Sequence, residues 1–180
     1  MSGKAHSIIG VTTVSAFLMV SLLIGIDRFT LSESLFMVLG SLIGSLIVDI
    51  DCKRSKATQM FNKALTYTIL GFICLICLNK FFGFKINILI NFTPNITLIL
   101  FGIVTVLGKM SPHRQFTHKV LGTCTFILLS YFSFPLYFTI GFSVGYILHI
   151  IADKTTSNGL NFLDFKLPLQ DREGNLKYHF

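Results

Sequence analysis

Apolar residues along this chain come in blocks of helical length, parted by short polar breaks. Reading the blocks predicts helices at residues 7–26, 35–50, 64–80, 95–109, 119–133 and 136–152, and leaves the stretch from Phe81 to Phe92 unassigned. A bilayer core of about 30 Å calls for about 20 apolar residues per crossing, fewer where a helix is tucked into a bundle. Several blocks meet that length. The second is short and carries Gly40 and Gly44, so a tilted, half-buried or re-entrant element suits it as well as a full crossing. Only Phe134 and Pro135 part the last two, which predicts a tight turn or a kink. The expected fold is all-α: a polytopic integral membrane helix bundle of about five or six transmembrane helices. Residues 1–180 form a single domain, ending in a polar tail over 153–180.

Composition agrees with lipid as the solvent. Of the 180 residues, 52% are hydrophobic and 13% charged, with a mean hydropathy of +0.72, whereas soluble domains are roughly 25% charged. The first block follows Lys4 and lacks a small-x-small cleavage site before Asp27, so it reads as a retained helix rather than a signal peptide. Cys74 and Cys77 form a Cys-x-x-Cys in the middle of an apolar run, where a redox or zinc pair would lack water and further ligands. They read as packing residues. The net charge of +7 is not arranged as a nucleic-acid surface, because no basic face is interleaved with aromatics. It reports topology instead. If all six helices cross, one side holds Lys4, Lys53, Arg54, Lys56, Lys63, Lys109, Arg114, Lys119, Lys154, Lys166, Arg172 and Lys177, and the other only Arg28, Lys80 and Lys85. The positive-inside rule makes the first side, with both termini, cytoplasmic.

The remaining polar residues fall unevenly on that topology. His6 precedes the first helix, Asp49 and Asp51 end the second, His113 and His118 flank the start of the fifth, and His149 and Asp153 end the sixth. Ionisable groups at membrane depth cost several kcal/mol unless paired, hydrated or bound to metal. His149 and Asp153 lie four apart, on one helix face. Asp49 and Asp51 form an Asp-x-Asp pair where an apolar run ends and both carboxylates can turn to a cation. His113 to His118 supplies two imidazoles around a turn opened by Pro112, with Arg114 suited to a phosphate or carboxylate. Each pair alone has a plainer reading as a hydrogen-bonded helix end or a solvated loop. Three acids and four histidines on four helix ends at one face are what a mononuclear or dinuclear transition-metal site needs. His179 has no partner at useful spacing.

These residues carry a family resemblance. Lys4-Ala5-His6, the segment Leu46 to Asp51 followed by Ser55, the segment His113 to His118, and Gly145 to Asp153 running on to Thr156 and Gly159 follow one another in order. In that order the chain resembles the LexA-regulated, membrane-bound metal-dependent hydrolases, the YdjM-like family of bacterial inner-membrane proteins. It departs from the family pattern at Val48, Gln115, Lys119 and Leu148, and Leu167-Pro168 stands near where a tryptophan-proline ending is usual. None of these departures removes a proposed ligand. The resemblance implies a metal site, and because seven candidate ligands exceed one tetrahedral set the expected cofactor is a divalent metal, zinc or manganese, as one or two ions.

Residues and resemblance together lead to an expectation of metal-dependent hydrolysis at the cytoplasmic membrane surface. His6, Asp49, Asp51, His113, His118, His149 and Asp153 would supply metal ligands. A carboxylate such as Asp51 or Asp153 would be the general base, with Arg114 and Thr117 holding an anionic group of the substrate. Membrane lipid is the expected partner, and a phospholipid or lipid-linked phosphate the expected substrate. No Ser-His-Asp or Cys-His arrangement stands out, since Ser55 and Ser111 lie in loops without a glycine-flanked nucleophile turn. Two other functions use the same residues: a small ion or metal transporter, and a structural protein whose polar cluster ties helix ends together. A transporter predicts acids near mid-membrane and an inverted repeat, and the sequence has neither.

Overall fold

The computed structural model describes residues 3–25, 29–52, 55, 58–67, 96–155, 162–171 and 173–177, with side chains from Ser7 onward. Among these residues the fold is all-α and has no strand. Helices α1 (Gly3–Ile24) and α2 (Leu31–Ile47) lead into a 3-10 turn, Val48–Asp51. A helical segment α3 (58–67) follows, then α4 (Ile96–Met110), a second 3-10 turn at Phe116–His118, α5 (Val120–Ser133) and α6 (Leu136–Lys154). The expected helix 64–80 overlaps α3 to residue 67; its remainder, Cys74, Cys77 and the stretch 81–92 lie outside the described residues.

Among the described residues, three stretches are long and apolar enough to cross a membrane: Ser7–Ile24, Leu31–Asp51 and Leu136–Lys154. The second block is therefore longer than its pattern suggested. A capping box starts it early: the Glu33 amide donates to Thr30 Oγ1, and the Thr30 amide to the Glu33 carboxylate at 2.7 Å. With the 3-10 turn, 21 residues run unbroken to Asp51, about 30 Å at helical rise. Helices α4 and α5 are shorter apolar elements. The Phe134-Pro135 break is a turn rather than a kink, closed by the Thr139 hydroxyl donating to the Ser130 carbonyl at 3.0 Å.

Small residues decide how the long helices meet. A Cβ added to Gly40 or Gly44 would sit 2.1 Å from the carbonyl oxygen of Phe138 or Phe142, and one on Gly141 or Gly145 within 2.1 Å of that of Met37 or Ser41. Backbones of α2 and α6 thus touch directly, as small-xxx-small sequences allow. Met37 faces Gly141, Ser41 faces Gly145 and Ser45 bonds His149, a constant offset of 104 residues. The two helices therefore run parallel and reach the same end of the bundle together. Gly10 of α1 lies against Ser41, Ser45 and Gly145, which brings the start of α1 to that end as well. An aromatic core of Phe116, Phe126, Phe142 and Tyr146, edged by Phe101, fills the space between α4, α5 and α6. Many leucine, isoleucine and phenylalanine side chains of α1, α2 and α4 face outward, the surface a bundle offers to lipid.

Candidate metal centre

At the end shared by α2 and α6, the histidines and acids singled out in the sequence converge. Among the described residues, two groups of side chains have potential ligand atoms within 4.8 Å of one another: Asp49, Asp51, His113 and His118, and His118, His149 and Asp153. His118 belongs to both. Its Nε2 lies 3.3 Å from Asp153 Oδ2 and 3.6 Å from Asp49 Oδ1, while His149 Nε2 lies 3.5 Å from Asp49 Oδ1 and 3.9 Å from Asp153 Oδ2. His118, His149 and Asp153 are buried, and Asp49 keeps 19% of its side chain exposed.

Hydrogen bonds behind the rings dictate which nitrogen each histidine presents. His149 Nδ1 lies 2.6 Å from the Ser45 carbonyl oxygen, which can only accept, so Nδ1 carries the hydrogen and Nε2 is left for the acids. His118 reaches the same state through Thr117. The Thr117 hydroxyl donates to Asp51 Oδ2 at 3.0 Å, so its oxygen accepts from His118 Nδ1 at 3.0 Å. Both Nε2 atoms then aim between Asp49 and Asp153. His118 Nε2 is buried there without a hydrogen bond, an arrangement that costs free energy unless another partner completes it.

These residues fit a divalent cation. Ligand atoms of a tetrahedral zinc with bonds of 2.0–2.1 Å stand about 3.3–3.4 Å apart, close to the imidazole–carboxylate separations of 3.3–3.9 Å. Burial opposes a charge on His118, yet the carboxylates of Asp51, Asp153 and Asp49 outweigh it and hold the His118 pKa well above its usual value. Nε2 of His118 is thus a place for a proton or a metal.

Asp51 stands on the other side of His118. Its Oδ1 accepts from His113 Nδ1 at 2.9 Å, and its Oδ2 accepts from the Arg114 amide at 2.8 Å and from Thr117. Fully buried, it ties the 113–118 turn to the end of α2. Arg114 adopts φ +61° within that turn, a left-handed backbone uncommon outside glycine. That conformation carries its guanidinium to 3.6 Å from Asp153. Thr117 is fully buried and its hydroxyl is engaged by Asp51 and His118, so it orients ligands rather than facing outward. His113 is half-exposed. The backbone of His6 lies in α1, and its side chain is outside the described residues.

Residues not singled out in the sequence complete the framework. Tyr146 donates from its hydroxyl to the Thr117 carbonyl. The Thr58 hydroxyl lies 2.7 Å from the Ile50 carbonyl, holding the turn that carries both acids. The tail returns to the site: Lys119 Nζ pairs with Asp164 at 2.9 Å, and the Leu169 amide donates to Ser111 Oγ at 2.9 Å.

A family model described as YdjM inner membrane protein matches residues 1–178. The chain belongs to that family. No curated protein and no solved structure matches it. Membership in the YdjM family and the long apolar helices together make this a membrane protein. The groups able to hold a metal ion are a property of this YdjM chain's own geometry.

Proposed function

We propose that this protein is a membrane-embedded, metal-dependent hydrolase with its active site at the cytoplasmic face, acting on a phospholipid or lipid-linked phosphate ester. The observation that carries the reading is the orientation of the two imidazoles. Both present Nε2 to Asp49 and Asp153 because Nδ1 is engaged behind the ring. Such outer hydrogen bonds are how metal-binding histidines are held. His118, His149, Asp49 and Asp153 would hold the ion, here zinc or manganese. His6, the histidine that opens the first helix in the sequence, would complete the set. When bound, a divalent cation supplies Lewis acidity to water and to a phosphoryl oxygen.

The chain's own residues divide the rest of the work. Asp51, with three hydrogen bonds, positions His118 and the 113–118 turn. In this reading Asp153 would meet the ion through Oδ2 and take a proton from water through Oδ1, and Arg114 beside Oδ1 would be the cation that meets a phosphate. His113 lies at the exposed edge. The positive-inside distribution supports six crossings of a bacterial cytoplasmic membrane with both termini inside.

A structural reading also has an observation in its favour, since the bonds around Asp51 would tie the helix ends together without any metal. Elemental analysis of detergent-purified protein separates the two. Wild type should carry one or two equivalents of zinc or manganese, and His118→Ala and Asp153→Asn, matched for folding, should lose them. Wild-type protein that is metal-free and refuses reloading would leave the structural reading standing alone.

A further inference from the structure

Beside the acid and histidine cluster, α2, α3 and α4 enclose a groove of about 330 Å³ that stays open on its outer side. That volume is at the lower end of small-molecule sites, about 300–1,000 Å³. Ile43, Ile47, Ile50, Phe61 and Phe101 form much of its wall. Thr105 also lines it, but its hydroxyl donates to the Phe101 carbonyl at 2.8 Å, so the wall offers hydrocarbon. A wall of this kind is complementary to a hydrocarbon chain.

Two features connect the groove to the site. Ile50 forms part of the wall and sits in the chain between Asp49 and Asp51. Gly108 of α4 lies against both Ile50 and Thr117 of the 116–118 turn. The second feature is a cation. Phe61 carries the Lys109 ammonium 5.2 Å above its ring, and Lys109 Nζ donates to Asn62 at 2.6 Å. An apolar groove that carries an ammonium over its Phe61 wall and reaches the acid pair through Ile50 has the polarity of one phospholipid: acyl chain, then the phosphate whose ester bond is to be attacked.

We infer that this groove is the subsite for a fatty acyl chain of a phospholipid, with Lys109 meeting the phosphate at the entrance to the site. The inference deepens the hydrolase reading and rests on it for the destination of the headgroup, but the binding it describes needs no turnover. Its size suits a stretch of one chain, so the second chain of a diacyl lipid would remain in the bilayer.

Gly102 supplies the test. It lines the groove, and a Cβ there meets nothing within 4 Å, so a larger side chain can fill the groove without meeting the backbone. Retention of dioleoyl phosphatidic acid by the full chain would be followed by native mass spectrometry as micelles are stripped. Metal content would be measured on the same samples. Gly102→Phe should weaken retention about tenfold or more, since several methylenes lose their burial, and Gly102→Leu should have a smaller effect. Leu128→Phe, on the exposed side of α5, should leave retention unchanged. Lys109→Gln should weaken phosphatidic acid while leaving dioleoylglycerol unaffected. Equal retention by wild type and Gly102→Phe, or equal losses in Gly102→Phe and Leu128→Phe, would mean annular lipid and overturn the inference. Plug-sensitive retention in metal-free protein would keep the groove and sink the hydrolase. Bound metal with plug-insensitive retention would do the reverse.

Discussion

Thr117 connects Asp51 to His118 through one hydroxyl, donating to the first and accepting from the second. Thr117→Val keeps the shape and removes the relay, leaving a buried carboxylate one bond short and the His118 ring free to turn. Stability should fall by about 1–3 kcal/mol and metal affinity by about 10- to 100-fold, read by thermal melts and metal titration. A side chain merely facing substrate would move neither. The sequence marked Thr117 as polar in a cluster but could not say which way the hydroxyl faces, because that depends on Asp51 arriving from 66 residues away. Ser45 escaped notice for a simpler reason: it acts through its backbone carbonyl, which any residue has. His118 also sets a pH response. Its raised pKa stabilises the metal-free fold below the ordinary histidine range, and that contribution is lost as pH rises through the raised value. Metal needs Nε2 without its proton, so affinity should run the other way. It should fall by up to about tenfold per pH unit below the raised value, with one proton released per ion bound. Calorimetry in buffers of different ionisation enthalpy would count that proton, and affinity independent of pH would remove His118 from the ligand set.

At the scale of elements, the parallel pairing of α2 with α6 is what assembles the site. Gly145→Ala would force a methyl to 2.1 Å from the Ser41 carbonyl oxygen and push the helices apart one turn before His149. Gly102→Ala, facing open space, should instead stabilise α4 by up to about 1 kcal/mol through helix propensity. Paired melts of the two variants, with metal content, check the contrast: Gly145→Ala should lower both, and Gly102→Ala neither. Sequence periodicity found five of the described helices within a few residues, since apolar blocks report helices whatever their partner. Glycine in the second block was legible as a close-packing signal, and the short reading of that block failed because Thr30 and Glu33 begin the helix in polar residues. The choice of α6 as partner, and its register, were not legible. A small-residue face says that some backbone comes close, not which one.

For the whole molecule, α2, α4, α5 and α6 bring the 51, 110–118 and 153 junctions to one end, and the far end holds contacts such as Phe29 with Tyr137 and Thr97 with Phe132. If that site end is cytoplasmic, green fluorescent protein fused to the carboxyl terminus should fluoresce and alkaline phosphatase fused there should be inactive. The opposite pair of results would invert the topology and move the site to the outer face. The gathering of histidines and acids at one end was legible from the charge pattern alone, because topology depends on residue type rather than on contacts.

The offset of 104 residues between partners in α2 and α6 also bears on how the protein is made. Synthesis delivers Asp49 and Asp51 to the membrane long before His149 and Asp153 leave the ribosome. An interrupted chain therefore carries half a cluster with no imidazole from α6. Capture of an ion would then be an event of completion, closing only when the last long helix slides into place beside the second.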